Sequence, residues 1–270
     1  MPNSFPEFER PPVDEVAMGV QFDPLPNFRA AHIGCFWARI REEYPHTEEQ
    51  APLFPAVEPS EFKPSAPTVS AVALAVPPLP RCWFLNQDKS QLIQIQSDRF
   101  LRNWRHVKGD ESYPRFARLF QDFRQAWDKF LTFARDEGLG SVNVNQCELT
   151  YINSIEKGSG WRELGELHGV FPLLCPREEE SFLPPPETLS WHARYKLPEG
   201  RGRLHVDMKP VFRGRDLKLV LAFTLTARGA PAEGSPEQIA AWFELSHEWI
   251  VRAFAELTNS TAHELWGKKA

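Results

Sequence analysis

His205 and Asp207 stand two residues apart in RLHVDMKP, so on an extended strand both side chains point the same way. His192 falls in the strand-like stretch before it, and Glu148 lies mid-chain in CELTYIN. A His–carboxylate cluster of this kind could carry general acid–base chemistry or hold a metal ion. The rest of the sequence does not extend it. It contains no HExxH, P-loop, GxGxxG or nucleophile elbow. Cys35, Cys82, Cys147 and Cys175 have no metal-type spacing, and their apolar neighbours suggest four buried, reduced thiols. Two histidines on adjacent strands also arise by chance. His192, His205, Asp207 and Glu148 are therefore weak catalytic candidates, no metal or cofactor is implied, and the balance leans against an enzyme.

A second constellation is DRFLRNWR, Asp98–Arg105. Arg99, Arg102, Trp104 and Arg105 are residue types enriched at binding hot spots and able to stack on bases. The competing structural use is a pairing of Arg99 or Arg102 with a strand carboxylate such as Glu148. A formal net charge of −5 lacks the basic field of a general phosphate-backbone binder, so nucleic acid is the least supported partner. His247-Glu248, on the last long helix, suits core packing or pairing with a loop.

The elements that must position these residues follow from periodicity. VDEVAMGVQFD, 13–23, alternates Val16, Met18, Val20 and Phe22 against Glu15, Ala17, Gly19 and Gln21, which predicts a half-buried strand. Prolines 24 and 26 end it, and a helix is expected over 28–44. Residues 45–80 are Pro-rich and read as a long loop, with an edge strand at Val69–Val76. A hairpin is expected over 81–87 and 91–99 around 88–90. A helix over 113–138 carries the stripe Phe116, Leu119, Phe120, Phe123, Trp127, Phe130 and Ala134. A central strand follows over 142–156, then a short helix over 161–174 and a loop over 175–187. Strands over 188–197, 203–212 and 216–228 precede a last helix over 235–258, capped by Ser235 with Pro236 at its first position. The tail adds a short turn near Trp266. The N-terminus has no signal-peptide pattern, and the longest apolar run is too short to span a bilayer, so a cytoplasmic protein is expected.

The order repeats. A shift of 123 residues lays Phe116, Leu119 and Trp127 on Ile239, Trp242 and Ile250; a shift of 133 lays Asp14–Met18 on Cys147–Tyr151. The expected fold is α+β: two β-α-β-β-α halves, 1–140 and 141–270, forming one curved antiparallel sheet with the long helices on one face. In element order alone this resembles the saddle of TATA-binding-protein-like folds. The other face would be polar: Glu15, Gln21, Gln94, Gln96, Asp98, Gln146, Glu148, Thr150, His192, Arg194, His205, Asp207, Lys209, Thr224 and Thr226. Cys147, Leu149 and Tyr151 should face the helices. The polar face is either a solvated sheet surface or a concave recognition surface.

Four stretches, PPVDEVAMGVQF, IQIQSDRFLRNWR, CELTYIN and WFELSHEWIVRAFAELTNSTAHELWG, together resemble a sporadically distributed bacterial family of uncharacterised proteins of about this length. The resemblance implies a bacterial cytosolic protein and brings no activity or site residues with it. Its sporadic distribution suggests toxin–antitoxin, immunity or defence loci. The leading expectation is a non-enzymatic protein that binds a protein partner, a basic one by net charge, through Glu148, Thr150, His205, Asp207 and the Arg–Trp stretch. The alternative is a small-molecule or nucleotide binder or enzyme using the His/Asp/Glu cluster. No membrane association is expected.

Overall fold

A computed structural model describes residues 5–54, 58, 79–109, 111–175 and 182–269; the strand expected at Val69–Val76 lies outside them. Among the described residues nine strands form one antiparallel sheet in the order β2-β3-β4-β5-β1-β6-β9-β8-β7. They are β1 (Val13–Phe22), β2 (His46–Gln50), β3 (Arg81–Leu85), β4 (Gln91–Gln96), β5 (Arg99–Arg105), β6 (Val144–Glu156), β7 (Trp191–Lys196), β8 (Arg203–Phe212) and β9 (Leu219–Gly229). The helices are α1 (Ala30–Ile40), α2 (Phe116–Asp136), α3 (Pro236–Leu257) and the short α4 (Ser260–Leu265). No helix among the described residues is long and apolar enough to cross a membrane.

β1 and β6 are adjacent at the middle of the sheet. Val16 pairs with Tyr151, Met18 with Leu149 and Val20 with Cys147, so the apolar alternation of both strands falls on one face. α2 covers β5 and β1 there: Phe130 meets Phe22 and Phe100 at ring-centroid distances of 5.7 and 5.4 Å. α3 covers β6, β9 and β8, with Phe254 6.0 Å from Phe223. Phe123 and Phe243, 5.0 Å apart, join the two long helices into one aromatic layer. α1 adds Phe36, which touches Phe84, Phe130 and Phe133. Ser235 caps α3 by accepting from the Gln238 backbone N–H.

Several expectations need correction. The segment 161–174 holds only a six-residue 3-10 turn, Leu164–Gly169. Leu167 is buried from that turn, and Trp161, Val170 and Phe171 from the irregular backbone on either side of it. Residues 46–50 are a polar edge strand rather than loop, held by pairing with β3 despite no apolar alternation. Arg99–Arg105 is a strand of its own, β5, hairpinned to β4 through a turn at Asp98. Cys82 and Cys147 are buried, but Cys35 and Cys175 are exposed; all four are free thiols.

Candidate functional site

The register fixes which side chains share the face opposite the long helices. One transverse row runs Lys196, Arg203, Arg228 and Glu148 across β7, β8, β9 and β6, and then meets Gly19 on β1. The next row holds Arg194, His205, Thr226 and Thr150. Beyond it lie His192, Asp207 and Thr224. His192, His205, Asp207, Glu148 and Thr150 therefore do gather on one face, as two-residue periodicity requires.

What holds them is a network of cations and carboxylates. Glu58 reaches this face from outside the sheet. His205 Nε2 is 2.5 Å from one of its carboxylate oxygens, and Arg203 donates to the other at 3.2 Å. Arg228 lies 3.8 Å from Glu58 and donates through Nε to Glu148 at 2.6 Å. Burial pushes the Glu58 carboxyl up, but the hydrogen bonds from His205 and Arg203 and the Arg228 charge outweigh it and leave it below its ordinary value. Beside this, His192 Nδ1 stands 2.6 Å from Asp207, and Arg194 Nε donates to His192 Nε2 at 2.9 Å. A guanidinium can only donate, so Arg194 occupies the Nε2 lone pair and the ring proton sits on Nδ1 toward Asp207. That lone pair is the one a general base would use. Thr150 and Thr226 share a hydroxyl–hydroxyl bond of 3.0 Å.

The Arg–Trp stretch is not a cluster. Arg99 and Arg105 point to the polar face, whereas Arg102 and Trp104 pair with Met18 and Val16 on the helix face. Arg102 is buried between Gln91, at 2.6 Å, and Asp122 of α2, at 3.2 Å. Trp104 is buried against Tyr113. Arg99 meets Asp98, Gln21 and the Phe54 carbonyl. Neither Arg99 nor Arg102 pairs with Glu148; Arg228 does. Glu15 is held by Asn103 at 2.5 Å, and burial, the largest influence on its carboxyl, raises its pKa.

Residues 53 and 54 also lie on this face: Gln96 exchanges two hydrogen bonds with the Leu53 backbone. The depression left at Gly19, Gln146 and Glu148 is about 40 Å³, far below the several hundred Å³ of an ordinary ligand pocket. Gly19 forms its floor, where a Cβ would stand 2.9 Å from Leu101 Cγ. Among the described residues no three His, Cys, Asp or Glu side chains are arranged to hold a metal ion. Sequence reasoning missed Glu58, Arg203 and Arg228. The two arginines were legible from strand alternation, since each is an even number of residues from His205 or Thr226. Glu58 carried no local signal.

No protein-family model and no curated protein matches this chain.

Proposed function

We propose that the protein is a non-enzymatic binding protein that receives an acidic protein surface on the polar face of its sheet, chiefly across β7, β8 and β9. The observation that carries this is Glu58, whose carboxylate sits on Arg203, His205 and Arg228 and so samples the chemistry this face accepts. Arg194, Lys196 and Lys209 extend the basic surface around it and are exposed. This local field, rather than the net charge of −5, sets the sign of the partner, so an acidic partner is favoured over a basic one. Among the described residues β7 is also an edge strand of the sheet.

The same proposal includes an internal duplication. From the β1–β6 seam outward, β5 corresponds to β9, β4 to β8 and β3 to β7, and each half is followed by a long helix. This strand order supports the likeness to a TATA-binding-protein saddle. The motif resemblance adds a bacterial toxin–antitoxin, immunity or defence setting. The test is affinity purification of the full chain from its native host, with three forms compared. The wild type and an Arg124→Glu variant, altered on the exposed side of α2, should recover one partner at stoichiometric level. Arg194→Glu combined with Lys196→Glu should lower recovery at least tenfold. Recovery of nothing stoichiometric, or loss with Arg124→Glu instead, refutes the reading.

A further inference from the structure

On the helix side of the sheet, away from the Glu58 network, a cavity of about 390 Å³ opens between the N-terminal segment, the start of α2 and the middle of α3. Its volume is that of a small-molecule site. Its wall is mostly aromatic and aliphatic, including Phe8, Phe116 and Val251. Three polar groups from distant parts of the chain form a line through it. Tyr113 Oη is 3.0 Å from Tyr151 Oη, and Tyr151 Oη is 3.1 Å from His247 Nδ1. The His247 ring stacks flat on Phe116 at 4.0 Å. Its Nε2 has no hydrogen-bond partner among the described residues.

Burial lowers the His247 pKa to about 4 and raises that of Tyr113 to about 12, so both are neutral at pH 7. A neutral chain of this kind has two hydrogen-bond directions. In one, Tyr113 donates to Tyr151, Tyr151 donates to Nδ1, and Nε2–H is left to donate outward. An anionic acceptor in the cavity selects that direction. Among the described residues the charged groups lining the cavity are Arg115, Lys269 and Glu7, two cations against one carboxylate. Lys269 pairs with Glu7 at 3.0 Å. Arg115 donates to the Phe8 and Glu9 carbonyls and lies over the Tyr113 ring at 5.6 Å. It holds φ +71° with ψ 156°, a conformation side-chain-bearing residues rarely adopt and one that collects at ligand sites.

We propose that this cavity binds a small aromatic carboxylate, its ring against Phe8 and Phe116 and its carboxylate accepting from His247 Nε2–H in the field of Arg115 and Lys269. The site is independent of the protein-binding face proposed above, and each can fail without the other. Calorimetric titration of the full chain at pH 7 with 2-naphthoate, 2-naphthalenemethanol and 2-naphthylmethylammonium tests it. Naphthoate should saturate a single site and bind at least tenfold more tightly than the ammonium compound, with the alcohol between them. Val251→Trp, which fills the cavity, and His247→Phe, which keeps the ring but removes the donor, should each weaken naphthoate at least tenfold. Arg194→Glu with Lys196→Glu should leave its binding unchanged. If His247→Phe does not unfold cooperatively, Val251→Trp alone decides. No saturable naphthoate binding, equal binding of the ammonium compound, or undiminished binding by a folded Val251→Trp overturns the proposal.

Discussion

Lowering the pH from 7 to 5 is expected to cost the fold up to about 2 kcal/mol through His247 alone. In an unfolded chain this imidazole takes its proton near 6.5; in the folded protein burial among Phe116, Tyr151 and Phe5 delays protonation to about 4. The folded value is depressed, so the unfolded state binds the proton first. Stability is therefore fully present above pH 6.5 and is lost as the pH falls toward 4, at up to about 1.4 kcal/mol per pH unit. His247 keeps some exposure, so solvent screening makes this an upper bound. The measurement is urea unfolding followed by tryptophan fluorescence at pH 7 and pH 5, on wild type and His247→Phe. The Phe ring preserves the stack on Phe116, and Tyr151 keeps its bond to Tyr113. Carboxylates that titrate in the same range contribute equally to both proteins, so the difference between the two pH responses isolates His247. Equal losses in wild type and variant, to within about 0.5 kcal/mol, refute the assignment.

Other perturbations have equally definite outcomes. Phe130 is fully buried and its ring meets Phe22, Phe36, Phe100, Trp127 and Phe133, so Phe130→Ala should cost about 3–5 kcal/mol in urea unfolding. Gly202 has φ +116°, and a Cβ there would collide with the Arg228 carbonyl oxygen; Gly202→Ala should lower the thermal midpoint by an amount equivalent to roughly 2 kcal/mol or more. Glu58→Gln leaves Arg203 and His205 facing an uncharged amide and should cost about 1–3 kcal/mol at pH 7. That difference should shrink on acidification below the ordinary glutamate pKa, because the Glu58 carboxyl, held low in the folded state, loses its contribution as it is protonated.

The side-chain facing of the central strands was readable without a structure. Val16, Met18, Val20 and Phe22, and likewise Cys147, Leu149 and Tyr151, repeat every second residue, and that period is a local property of an extended chain. The stripe on α2 was readable for the same reason at a period near 3.6, and Ser235-Pro236 marked the start of α3. β5 was not readable as a strand because Arg102 interrupts its apolar face. The charge is matched by Asp122, 20 residues away on another element, and no local pattern encodes that match. The stretch 161–174 was misread because its buried apolar residues, Trp161, Leu167, Val170 and Phe171, are spread over a short 3-10 turn and the backbone around it rather than along one helical stripe.

The sites divide in the same way. Alternation by itself put His192, His205, Asp207, Glu148 and Thr150 each on the polar side of its own strand, and the pairing of those strands joined the sides into one face. Which strands are neighbours, and hence that Arg228 rather than Arg99 or Arg102 answers Glu148, was decided by the pairing of β6 with β9. Glu58 lies 145 and 147 residues from Arg203 and His205, and His247 lies 96 from Tyr151. Contacts at such separations arise from chain closure and from the packing of two helices on one sheet. Sequence periodicity reports the orientation of a residue within its own element, and only the assembled sheet determines what that residue meets.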